Sequence, residues 1–270
     1  MGEYGKPAML IGLFVVLAIG AMIIGPIPQP QTYHDFADSR AFWGIENFND
    51  VISNLPFGVV GVWGLWTVFS LRKVGAIGRK GDAWPYIVLF ASVVLVTAGS
   101  SYYHLAPDNA RLFWDRLPIT VGFMALFAAF VTDRAASSRF GSLGIGPWLL
   151  PLFIAAGVLA LIYWIWTESL GRGDLSPYVL VQLYPILALP LLCGLYPKAR
   201  YTGGGYLVWI IVWYGLAKVL ETFDREVFAV LGNTISGHSL KHLAAAVAVF
   251  VVIRMLQRNG YDGAAQLRSG

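Results

Sequence analysis

The sequence predicts an all-α, polytopic transmembrane helix bundle, and three observations carry that expectation. Hydrophobic residues make up 57% of the 270-residue chain, charged ones only 13%, and the mean hydropathy is +0.64. A soluble domain of this size carries about twice that charge. The apolar residues fall in blocks of about 20, the length a helix needs to cross a hydrocarbon core. Those blocks are continuous rather than alternating, which fits helices and not the dyad pattern of a membrane barrel.

Eight spans follow in order, near 8–27, 51–71, 85–105, 117–133, 147–167, 176–196, 204–222 and 237–257. The first has a signal peptide as its alternative, but its apolar run is long and GPIPQPQ follows it instead of a small-x-small cleavage site, which favours a retained anchor. The second opens in NFNDVISNLPF, and the third closes in GSSYYHLAP. The turn LAPDNARLFW leads to Asp115, which starts the fourth. Trp148 stands near the start of the fifth and, with Trp43, Trp84 and Trp114, fits an interfacial aromatic belt. The sixth carries Cys193, the single cysteine, in LALPLLCGLY; no intramolecular disulfide or thiolate zinc cluster is open to the chain, and Cys193 reads as packing. The seventh holds Lys218 and Glu221 in YGLAKVLETFDRE, three apart on one helical face, and reads as an ion pair buried near the outer end. SGHSLKHLAAA opens the eighth.

Loop charge gives an orientation, because Lys and Arg accumulate on the cytoplasmic side. With both termini cytoplasmic, the inner segments hold Lys6, Arg72, Lys73, Arg79, Lys80, Arg134, Arg139, Lys198, Arg200, Arg254, Arg258 and Arg268. The outer ones hold only Arg40, Arg111, Arg116, Arg172 and Arg225, among many acids. The net charge of +4 therefore reports topology, and with no continuous basic patch it does not point to nucleic acid. The terminus QLRSG carries no retention signal, in keeping with a bacterial inner membrane.

Of four histidines, three lie at or near the ends of spans on the outer side: His104 closes the third, and His238 and His242 open the eighth. The spacing of four places both imidazoles of the last pair on one helical face, as helical zinc sites do. Asp115 begins the fourth span at the same level, and Ser100 faces the same way as His104 one turn deeper. Taken singly, these residues have plainer readings: headgroup-facing histidines, a helix-dipole aspartate, and packing hydroxyls at Ser100 and Ser101. Taken together at one depth they read as a catalytic metal site. Three neutral imidazoles with a fourth position open match hydrolytic zinc. Asp115 is then placed to carry a proton and Ser100 to donate to a developing oxyanion. A site at the bilayer boundary expects an amphiphilic substrate. Lys241, between the two histidines, invites comparison with a retinal Schiff base, but a lysine near the headgroups snorkels, and that is the simpler reading.

The pattern Ser100-x3-His104, then Asp115, then His238-x3-His242, with NFNDVISNLPF upstream, resembles the alkaline ceramidases within a wider superfamily of seven-helix hydrolases. The similarity spans about residues 35–258. It implies a seven-helix hydrolase domain at 35–258, preceded by an N-terminal anchor and linker at 1–34 and followed by a cytoplasmic tail at 259–270. It also implies a zinc amidase that cleaves ceramide into a sphingoid base and a fatty acid, with His104, His238 and His242 as ligands. Eukaryotic members carry an acidic calcium-binding segment before the first core helix, and HDFADSRAFWGIEN matches it only in part. Asp35, Asp38, Glu46 and Asn47 are the candidate Ca2+ ligands, or else ordinary loop residues. Two alternatives stay open: a lipid esterase of the same superfamily, and a seven-helix receptor or proton-coupled transporter using the Lys218, Glu221 and histidine set.

Overall fold

Each expected span is a helix in the computed structural model, which describes residues 5–77, 81–135 and 146–269. Arg79, Lys80 and Arg139, used above for orientation, lie outside the described residues, as does the side chain of Arg268. The helices are α1 (Gly5–Ile24), α2 (Phe48–Ile52), α3 (Leu55–Lys73), α4 (Trp84–Leu105), α5 (Asn109–Ala135), α6 (Gly146–Ser169), α7 (Ser176–Leu195), α8 (Gly204–Thr222), α9 (Asp224–Val230) and α10 (Gly237–Ser269). Among the described residues, eight segments are long and apolar enough to cross a membrane, α2 and α3 together counting as one. The protein is a multi-pass helical bundle.

Three boundaries differ from expectation, each for a local reason. α1 stops three residues early because Gly25 turns left-handed (φ +79°) and Pro26 follows. The second span is broken at Ser53–Asn54, since Pro56 at the start of α3 has no N–H to continue a helix. α5 begins at Asn109, eight residues before the expected 117, because Asp108 caps it: its Oδ1 accepts from the Arg111 amide at 2.6 Å. At the other end of the chain, α10 runs on through the segment read as a tail, as far as Ser269.

Packing closes a ring in the order α3, α4, α5, α7, α8, α10 and back to α3, with α6 against α5 and α7. α1 buries no residue and lies outside the ring against α7, where Phe14 meets Tyr184 with ring centroids 5.4 Å apart. The linker after α1 is not a free connection. The Leu175 amide donates to the Ile27 carbonyl at 2.8 Å, and the Ala37 amide to Asp224 Oδ2 at 2.9 Å. Residues 27–37 thus form a strap tied at both ends across the bundle, and the expected division at 34/35 falls inside it.

Candidate metal centre

His104 lies on the last turn of α4, which ends there because Ala106 precedes Pro107. His238 and His242 lie on the first two turns of α10. That helix start is held from two sides: Ser236 caps it, its Oγ accepting from the Ser239 amide at 2.9 Å, and Asp224 Oδ1 accepts the His238 amide at 2.7 Å. Gly237 permits the fit, because a methyl there would stand 2.9 Å from the Asp224 Cα and closer still to the Leu220 carbonyl oxygen.

The three imidazoles meet. Their candidate ligand atoms all lie within 4.8 Å of one another, and the side chains are 1%, 4% and 5% exposed for His104, His238 and His242. His104 Nε2 and His238 Nε2 are 3.3 Å apart. Metal–nitrogen bonds of about 2.05 Å at a tetrahedral angle put ligand nitrogens about 3.3 Å apart, so this pair has the spacing such an ion requires. Among the described residues this is the one group of three or more His, Cys, Asp or Glu donors able to hold a metal ion.

The surroundings fix one ring's tautomer. Ser53 Oγ donates to the Asp50 carbonyl at 3.1 Å and has no second proton, so at 2.8 Å it accepts from His242 Nδ1–H. His242 Nε2 is left unprotonated for the cluster. Phe36, from the strap, lies with its ring centroid 4.7 Å from that of His104 and 4.4 Å from that of His238. Asn47 Nδ2 donates to the His104 carbonyl at 2.8 Å.

Asp115 and Ser100 are both buried. Asp115 is outside the group of mutually close donors, but with Ser100 and His242 it lines one cavity of about 330 Å³. Below this polar end the walls are apolar, with Leu89, Val93, Leu189, Ala248 and Val252 among them. From His242 to Val252 is ten residues, or about 15 Å along α10. The site is a polar head over an apolar shaft.

Lys218 Nζ binds Glu221 Oε2 at 2.7 Å, as the three-residue spacing predicts, although the Lys218 side chain is 51% exposed. Lys241 does not snorkel. Its side chain is 16% exposed and its Nζ donates to Glu221 Oε1 at 2.6 Å, because α10 packs against α8 and presents Lys241 to that carboxylate. Tyr33 of the strap donates to the same oxygen at 3.1 Å; burial first, and then Glu221, push its hydroxyl well above the ordinary tyrosine range.

The candidate calcium ligands are not gathered. Asp38 is buried and gives both oxygens to Arg40, at 2.7 Å each, and its Oδ2 also to Asn49 at 2.8 Å. Burial pushes its carboxyl up, but those bonds outweigh it and hold the group below its usual value. Asp35 and Glu46 are exposed, and Asn47 turns its amide nitrogen to the His104 carbonyl.

Several residues at this end escaped sequence reasoning. Asp50 is fully buried, with Oδ1 accepting from Ser239 at 2.6 Å and Ser236 at 3.2 Å. An acid at the head of an apolar span was its signal. His34 bridges Tyr103 (2.8 Å) and Asn109 (2.9 Å), and Gln29 reaches Arg116; nothing in a Pro-rich linker marks these. Ser101 donates to the Val51 carbonyl at 3.3 Å, the packing role expected of it. No protein-family model matches the chain, and no curated protein matches it either.

Proposed function

We propose that this protein is a membrane-embedded, zinc-dependent amide hydrolase that cleaves ceramide-like lipids into a sphingoid base and a fatty acid. One observation carries the reading: three buried imidazoles stand at metal-ligand spacing, and one of them, His242, lines the polar end of a cavity whose shaft is apolar for about 15 Å. His104, His238 and His242 hold the ion, and a zinc there supplies Lewis acidity at neutral pH. Zinc suits all-imidazole donors, whereas calcium takes oxygen.

The chain's own groups do the rest. The shaft binds an acyl chain and sets the amide at the polar end, where the closed ring of helices limits water. Asp115 takes a proton from the attacking water as its oxygen bonds to the acyl carbon. Ser100 donates to the carbonyl oxygen as charge grows on it. When the carbon–nitrogen bond breaks, Asp115 passes its proton to the leaving amine. Ser53, through His242, keeps a ligand nitrogen turned to the cluster. With the termini cytoplasmic, as in a bacterial inner membrane, this end faces the non-cytoplasmic side.

The test is metal analysis of the purified full-length protein together with ceramide turnover, for the parent and for His238→Ala. One bound zinc and turnover in the parent, both lost in the variant, support the reading; a variant that keeps metal content and rate sinks it.

A further inference from the structure

The same cavity wall holds a cation that the proposed reaction leaves unused. Arg116 follows Asp115 on α5, lines the cavity and is only 7% exposed. Its guanidinium carbon lies 4.7 Å from the Trp164 ring centroid, 4.9 Å from Tyr178 and 5.5 Å from Tyr33. Nη2 donates to Gln29 Oε1 at 2.7 Å, while Nη1 is buried and has no hydrogen-bond partner. Among the described residues, no carboxylate forms an ion pair with it.

A guanidinium taken out of water without a counter-ion is costly, and aromatic faces with one amide oxygen offset only part of that. The cage nevertheless holds the planar fork fixed with a free donor, which is how arginine is presented to carboxylate and phosphate oxygens. The charge balance agrees. The charged side chains lining the cavity are Arg116, Lys218 and Lys241 against Asp115 and Glu221. The lining thus carries one cation in excess, and since Glu221 is taken by both lysines and Asp115 forms no ion pair with Arg116, the guanidinium is the cation without a carboxylate partner.

We propose that Arg116 is the anion-binding subsite of the cavity and takes the acidic oxygen group of a bound amphiphile whose chain fills the apolar shaft. This rests on the reading of the cavity as a lipid chamber. The anion is either the carboxylate that amide hydrolysis releases or an acidic group on the amine side of the substrate. Both offer oxygens to the same donor.

Equilibrium binding of radiolabelled dodecanol, dodecanoate and dodecyl phosphate to the full-length protein in amphipol separates the cases. Dodecanoate, dodecyl phosphate or both bind at least about tenfold tighter than dodecanol, the worth of one charge-assisted hydrogen bond. An advantage for dodecanoate alone assigns the product carboxylate, and one for dodecyl phosphate alone assigns a head-group anion. Arg116→Gln abolishes the advantage and leaves dodecanol affinity unchanged, which also reports an intact cavity. Arg116→Lys keeps part of the advantage and decides the matter if the glutamine variant does not fold. Equal affinity for all three ligands in the parent, or an advantage that survives Arg116→Gln, overturns the subsite and leaves the lipid chamber standing. Failure of all three to bind overturns both.

Discussion

Replacing Ser53 with alanine removes one hydrogen bond, and its consequence can be sized from the geometry. Ser53 sits in the break between α2 and α3, buried, with its hydroxyl oxygen 2.8 Å from His242 Nδ1. His242 is 5% exposed, so water does not readily replace the lost partner. The ring then loses the contact that fixes both its orientation and its tautomer. Partners of this kind are worth about 10–100-fold in metal affinity, or about 1.4–2.7 kcal/mol. The effect is read by competing the purified full-length protein against a chromophoric zinc chelator, with thermal unfolding as the check on folding. Ser101→Ala is the control, since Ser101, on α4, bonds the Val51 carbonyl of α2 and no imidazole. A Ser53→Ala variant with parental zinc affinity refutes the reasoning, as does an equal loss in Ser101→Ala.

Two further outcomes follow from the same end of the bundle. Gly237→Ala drives a methyl into the backbone of Leu220 and Asp224 and is expected to cost about 1–3 kcal/mol, seen as a lower Tm, and to weaken zinc binding by displacing His238; an unchanged Tm counts against the close packing described. Asp38 has a carboxyl held below its unfolded value of about 3.9, so its contribution is fully present above that pH and is lost as pH falls through the lower folded value. Hydrogen-exchange protection at residues 36–40, with the intrinsic rate at each pH divided out, should therefore fall below pH 4, and Arg40→Gln should remove most of that acid sensitivity; a profile unchanged by the substitution argues against the pairing.

How much of the site was legible depended on whether its residues shared a helix. His238 and His242 could be paired because the 3.6-residue period puts positions four apart on one face, and the ion pair of Lys218 with Glu221 was found in the same way. His104 could be put at their level because spans of known length end at known depths. Lys241 was misread, since its partner lies on a neighbouring helix and no period within α10 points to it. The candidate calcium residues show a similar limit: Asp38, Arg40 and Asn49 satisfy one another, a closure that acidic residues in a row do not reveal. Arg116 was counted only as an outer charge.

By itself the sequence determined the class of the protein, its eight spans, and the shared end at which three histidines and an aspartate had to appear. Hydrocarbon allows only helices of a set length, so those facts are local and can be counted along the chain. Tertiary structure alone decided that the linker crosses the bundle as a strap, bringing Phe36 to the histidines, Gln29 to Arg116 and Tyr33 to Glu221. It also decided that Ser53 meets His242. Those contacts depend on which helix faces are turned toward each other and on where a proline breaks one of them. That is a property of packing across the ring, which no spacing along the chain encodes.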